Sequence, residues 1–391
     1  MMEKRSTPAK AGQICFWTGI FIELLIVIID KSAYINPYES MLFRLTFVLF
    51  CIKIAMTKYS RSEWLCMIAV GGIAAISYFI NERDEAVRAV ALVAACKDID
   101  LKKLLTTILG ITALGSVVLF VLSVTGIFGS ISVTANFGRG PSPGIVETRY
   151  CFGMGHPNAF QGMLFMMSTL ALYLYAEKMR LAHFAALMGV NLVFFFFTDS
   201  NTAILVMTAA ILGVLFMKYC KPFSGSKGIY IAGAVCFIII VLFSLYGASA
   251  GTQNAFMHKL DKLLNGRFQY AYTIEQARLQ NWSLFADAAN QEYFDQGFIR
   301  LFYWYGIIPS LVYLFGNLYL IWQAYRKKDD CLLVIVVAYA VYSLMEAHLV
   351  SVYLLRNYLL IWFGYYWYQP FAERYQKEFH FWQVKKLIGK A

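Results

Sequence analysis

Three stretches of this chain carry no formal charge over lengths sufficient to cross a bilayer. They lie between Lys103 and Arg139, between Arg149 and Glu177, and between Lys227 and Lys259. A crossing helix needs about 20 apolar residues, because lipid offers no partner to backbone N–H and C=O groups. Several such runs confine the chain to a polytopic helical membrane protein. Composition agrees: 60% of residues are apolar and 15% charged, where a soluble domain is roughly 45–50% apolar and about 25% charged. One soluble core could not hide that much apolar surface. The aliphatic and aromatic content excludes disorder, and 27 Gly with eight Pro exclude a collagen-like or linker-rich chain. The eight cysteines fall mostly in apolar runs and form no Cys-x-x-Cys, so neither a metal nor a redox cofactor is expected. The first apolar run continues to about Ile29 without a small-residue cleavage site, so no cleaved leader is expected.

Hydropathy gives twelve candidate spans, near 12–30, 39–57, 64–80, 85–96, 104–128, 157–176, 180–197, 202–219, 229–247, 298–322, 331–349 and 352–369. The 85–96 segment is short and holds Arg88, which suits a half-span or an interfacial helix. With a cytoplasmic N-terminus and alternating spans, 22 of the 34 Lys and Arg fall inside and 12 outside, as the positive-inside rule requires. The expected fold class is an all-α polytopic integral membrane protein of about twelve transmembrane helices, a single membrane domain over 1–391 with both termini cytoplasmic. Two long external loops, about 129–156 and 248–297, point to an extracytoplasmic site. The tail, 370–391, repeats Phe371, Tyr375, Phe379 and Trp382 at helical spacing among lysines. It reads as a basic amphipathic anchor on the inner leaflet.

The basic residues divide by type as well as by side. Five of the 22 inner ones are Arg, against nine of the 12 outer ones: 44, 83, 88, 139, 149, 267, 278, 300 and 356. Orientation alone does not require this split. The guanidinium fork matches phosphate oxygens bidentately and tolerates burial better than an ammonium. A group of outer arginines therefore suggests an anionic, lipid-linked ligand, pyrophosphate being the natural candidate. For any one Arg, an ion pair with an outer acid such as Glu82, Asp84 or Glu147 explains it as well. The net charge of +11 is mostly the cytoplasmic excess, and no compact basic domain indicates nucleic acid.

Four constellations fall on the external side. Arg149-Tyr-Cys-Phe-Gly-Met-Gly-His156-Pro157-Asn158 opens the sixth span, with Pro157 suited to a first helical turn whose N–H groups can face an anion. Thr198-Asp199-Ser200-Asn201-Thr202 is a polar turn, which as a tight connection between spans needs no further role. Asn265-Gly266-Arg267 precedes Asp295-Gln296-Gly297 and the aromatic run around Arg300. Trp282, Tyr293, Phe294, Tyr303, Trp304 and Tyr305 there suit either sugar stacking or an interfacial belt. Glu346-Ala-His348 and Arg356-Asn357 span the last external turn, and Arg44 lies near the outer end of the second span. Ionisable groups at such depths are candidate functional residues.

In this order the four motifs resemble those of the Wzy-type polysaccharide polymerases and related O-antigen ligases. Arg149…Gly153…His156-Pro157-Asn158, Asn265-Gly266-Arg267 and Asp295 before a helix containing Gly306 carry the resemblance. Glu346…His348…Arg356-Asn357 is similar to the C-terminal signature of Gram-positive capsule polymerases. The likeness covers roughly 140–360 in pattern and departs at Gln296 and Ala286, where relatives usually carry Asn and Gly. It implies a GT-C-like, O-antigen-ligase-like fold in the bacterial plasma membrane. It implies an enzyme joining undecaprenyl-pyrophosphate-linked oligosaccharide repeat units on the extracytoplasmic face, without metal or cofactor. A flippase and a chain-length regulator are its implied partners. Arg149 and Arg267 match positions implied to hold the pyrophosphate, with Arg356, Arg44, Asn158 and Arg300 as further binding candidates. The expected chemistry is inverting attack of an acceptor hydroxyl, with Asp295, then His348 or Glu346, then His156 as base. A ligase using the same site is the nearest alternative. A secondary transporter is another, although no paired halves are visible.

Overall fold

The computed structural model describes residues 7–32, 34–137, 146–264 and 266–371, so the basic tail and Arg139 lie outside the described residues, as does Asn265. In chain order the helices begin with α1 (Thr7–Lys31), α2 (Glu39–Ala55), α3 (Arg61–Asn81), α4 (Glu85–Ala95) and α5 (Leu101–Val124). A hairpin of β1 (Ser132–Asn136) and β2 (Val146–Tyr150) follows, in a register that pairs Val133 with Arg149. Next come α6 (Pro157–Tyr175), α7 (Leu181–Thr198), α8 (Asn201–Tyr219) and α9 (Lys227–Ala250). The second long loop holds α10 (Ala255–Leu263), α11 (Arg267–Thr273) and two 3-10 turns. The chain then returns through α12 (Gly297–Tyr305), α13 (Ile307–Lys327), α14 (Asp330–Ser343) and α15 (Leu359–Tyr366).

Seven of these helices are long and apolar enough to cross a membrane: α1, α3, α5, α7, α8, α9 and α13. Their outward faces are apolar too. Phe79 and Phe196 are each 81% exposed, Leu65 68% and Leu114 67%. A surface of that kind suits lipid, since in water it would forfeit roughly 25 cal/mol per Å². Inside, α14 packs against α8, α9 and α13, while α4 wedges between α2, α3 and α15. Local chemistry fixes several helix starts. Ser60 and Glu63 close a capping box, Asp100 accepts from the Lys103 amide, and Asp329 accepts from that of Leu332.

The segments read as spans ten to twelve are interrupted. The 298–322 segment divides at Gly306, whose φ is +85°. A Cβ there would stand 2.5 Å from the Phe285 Cα, so the second long loop packs into the break and only glycine fits. The 331–349 segment is helical only to Ser343, and 352–369 retains a 3-10 turn at Leu354–Arg356 before α15. Between them, 344–358 is largely irregular, and its carbonyls need donors. Three arginines supply them. Arg267 donates to Met345 O, Arg300 to Ala347 O and Val350 O, and Arg88 to Val352 O. The 85–96 segment is a helix of 11 residues, and it holds Arg88 buried.

Candidate functional site

The end of the bundle where α1, α7 and α14 finish and α6, α8 and α12 begin gathers most of the residues singled out above. Arg267, at the start of α11, is the centre of the arrangement. Its guanidinium lies 2.8 Å from Glu346 and 3.4 Å from Asp295, and donates to Thr202 Oγ1 at 3.3 Å. Asn158, in the first turn of α6, donates to the same Glu346 oxygen at 2.9 Å. Three chain segments far apart in sequence thus meet on one buried carboxylate, and Arg267 links it to Asp295 and Thr202. The approach is close because Gly297 sits against the 343–346 backbone: a Cβ would be 3.0 Å from both Ser343 O and Glu346 O. That glycine sets Asp295 beside Arg267.

A second pair flanks the first. Arg149, buried on β2, donates to Glu147 at 3.0 Å, lies 3.6 Å from Asp199 and covers the Phe137 ring. The polar turn at 198–202 therefore serves both arginines, Asp199 facing Arg149 and Thr202 facing Arg267. His156 caps α6, its Nδ1 accepting from the Asn158 amide at 3.1 Å. In a neutral ring this leaves the proton on Nε2, so His156 faces the site as a donor rather than a base. Desolvation holds its pKa below the ordinary histidine value. Asp295 pulls it up, and Arg149, Lys31 and Arg267 push it down.

Glu346 and His348, in the irregular segment past α14, are both shifted. Burial pushes the Glu346 carboxyl up to about 7, against the pull of Arg267. Asp295 adds to the rise and Lys31 opposes it. Arg267 is also desolvated, but Glu346 and Asp295 more than compensate and secure its charge. Burial pushes His348 down to about 3, so it stays neutral. Its ring lies 4.9 Å from that of Tyr342, and a Cβ on Gly162 would meet His348 Nε2 and Tyr342 Oη at 2.8 Å each. Neither of those two atoms has a hydrogen-bond partner among the described residues.

Other predicted site residues are placed elsewhere. Arg300 is 1% exposed, lies between the rings of Tyr293 and Trp304, and donates from Nη1 and Nη2 to the carbonyls of Phe294, Ala347 and Val350. It is a backbone staple, and so is Arg88. Arg83 and Arg278 also donate to backbone carbonyls, those of Asn290 and Tyr272. Arg356 pairs with Asp30, and its neighbour Asn357 donates to the Tyr313 hydroxyl at 2.9 Å. Arg44 is exposed on α2 and takes no part in these bonds. The aromatics are mostly committed to packing. Trp282 stacks on Phe302 at 4.4 Å, Phe294 packs on Tyr303, and Tyr305 is buried. Tyr293 remains exposed, at 59%. Asp30 and Lys31, which none of the motifs above includes, join Arg356 at the end of α1. An adjacent ionisable pair at a span end was the available signal.

An apolar cavity of about 290 Å³ lies between α3, α4, α13 and α15. The 344–358 segment, which sends Glu346 to Arg267, lines this cavity with His348, Leu349, Ser351, Tyr353, Leu354 and Asn357. One stretch of chain therefore borders both a charged cluster and an apolar space. Among the described residues no three His, Cys, Asp or Glu side chains converge as a metal site. No family model matches the chain, and neither a curated protein nor a solved structure does so.

Proposed function

We propose that the protein polymerises oligosaccharide repeat units carried on undecaprenyl pyrophosphate, working at the extracytoplasmic face of the bacterial plasma membrane. In this reading the chain crosses the membrane about twelve times with both termini in the cytoplasm, and the interrupted tenth to twelfth passes surround the site. The observation that carries the reading is the meeting of Arg267, Glu346, Asp295 and Asn158, bordered by the apolar cavity along 344–358. That combination suits a ligand with a phosphorylated head and a hydrocarbon chain. The motif order gives the sugar chemistry.

In the reaction an acceptor hydroxyl attacks the anomeric carbon of the donor from the face opposite the pyrophosphate. The new C–O bond forms as the bond to pyrophosphate breaks, and the electron pair leaves on the lipid pyrophosphate. Arg267 and Arg149 stabilise that growing charge, which is where preorganised donors lower a barrier most. His156 adds an N–H donor. Asp295 takes the hydroxyl proton: its side chain is 42% exposed and lies beside Arg267, so it reaches a substrate. Glu346 is the second candidate, and its raised pKa makes it a stronger base once ionised. At rest the carboxylates cover the arginines, so a bound pyrophosphate replaces Asp295 and Asp199, whose contacts are the longer ones.

The decisive experiment is reconstitution of the purified protein with lipid-linked repeat units alone. A ladder of products supports the reading, and Arg267→Ala and Arg149→Ala should each leave only single units. Transfer to a foreign acceptor without a ladder would make the enzyme a ligase. Full-length polymer from both variants at normal protein levels would sink the assignment of the pyrophosphate site.

A further inference from the structure

The site contains a cation that the motif pattern does not include. Lys31 ends α1 and is 8% exposed. Its ion-pair partner is Asp30 at 3.6 Å, through the same Oδ2 atom that Arg356 engages. One carboxylate thus serves two cations, leaving a surplus positive charge at the end of α1. Among the described residues the Lys31 ammonium donates no hydrogen bond, which leaves its three donors open to a ligand. The loop before α6 passes the end of α1: a Cβ on Gly155 would lie 3.9 Å from the Lys31 backbone carbonyl. Its charge is felt at Glu346, His156 and His348, residues of α6's N-terminal cap and the 344–358 segment.

We propose that Lys31 is a phosphate-contacting residue of this site, held in place by the Asp30–Arg356 pair and presenting its ammonium to the anionic head of the lipid-linked substrate. The proposal rests on the polymerase reading for the location and chemistry of the ligand. It adds a compact point charge to the planar forks of Arg267 and Arg149. It also gives Arg356 a role: that side chain positions Asp30, and Asp30 positions the lysine. An Asp30 without Arg356 would close a tighter pair with Lys31 and withdraw it from the ligand.

The test uses the full chain in lipid nanodiscs and compares binding of farnesyl pyrophosphate with that of farnesol. Wild type should prefer the pyrophosphate. Lys31→Met should weaken pyrophosphate binding by about tenfold or more, the loss expected for one charge-assisted contact, and leave farnesol binding unchanged. Lys31→Arg should retain most of the preference. Arg356→Gln should weaken pyrophosphate binding in the same direction without touching farnesol. If Lys31→Met bound the pyrophosphate as wild type does while Arg267→Ala lost it, Lys31 would be no contact and the polymerase reading would stand. Equal losses for pyrophosphate and farnesol, together with a lowered unfolding temperature, would make Lys31 structural and overturn the proposal. A wild type indifferent to the pyrophosphate would remove both the proposal and the reading beneath it.

Discussion

At the scale of single residues, the Arg267–Glu346 contact has a consequence in pH. Glu346 titrates at about 7 because burial outweighs Arg267. Below that value the carboxyl is neutral and Arg267 is free to meet an anion. Above it the carboxylate competes. Affinity for farnesyl pyrophosphate should therefore rise as pH falls through about 7. In Glu346→Gln it should lack that dependence and stay near the low-pH level. The difference between the two profiles, measured by titration in nanodiscs, cancels the ligand's own ionisation. Coincident profiles would remove Glu346 from the binding equilibrium. The sign for folding is the same: a carboxyl raised in the folded state favours that state at low pH, a contribution lost as pH rises past the folded value. Arg149, Arg267, His156, Asn158, Asp295 and Glu346 were visible in the sequence as polar groups beside apolar runs. Which acid met which base was not, because a pairing such as Arg267–Glu346 depends on the loop after α9 folding back across α14.

At the scale of elements, the interrupted returns matter most. The 344–358 segment keeps its shape because Arg88, Arg267 and Arg300 donate to its carbonyls. Arg300→Met keeps most of the bulk and removes the donors. It should cost about 2–5 kcal/mol, since buried acceptors are left without partners, read as a lower unfolding temperature in detergent. An unchanged temperature would mean that the segment does not need the staple. Gly306→Ala should be damaging as well, having both a left-handed φ and a backbone neighbour 2.5 Å from the new methyl. Hydropathy marked these stretches as spans because it averages side-chain character over a window. It cannot see a side chain elsewhere in the chain capturing a carbonyl. The same limit explains the aromatic run. Spacing permitted Trp282 and Tyr303 to stack on sugars, and packing turned them toward Phe302 and Phe294 instead.

At the scale of the whole molecule, the proposed orientation makes a prediction independent of the chemistry. Alkaline phosphatase fused after Met257, in the second long loop, should be active because the enzyme folds only after export, and fusions after Lys178 or Lys328 should be silent. The opposite pattern would invert the topology and move the site to the cytoplasm. Sequence alone determined that the chain needs lipid around it: uncharged runs of bilayer length leave no other home for their backbone and side chains. It also determined the start of the polar turn and of the helix near the site, since Pro157 and the 198–202 turn act through local sterics and hydrogen bonding. Tertiary structure decided which arginines remain for a ligand. Of the outer group, Arg88 and Arg300 are spent on carbonyls that exist only because the last passes are broken. Tertiary structure also brought Lys31 from the first helix to the last loop. Both outcomes depend on contacts between residues 47 to 326 positions apart, and a pattern read along the chain carries no information about such contacts.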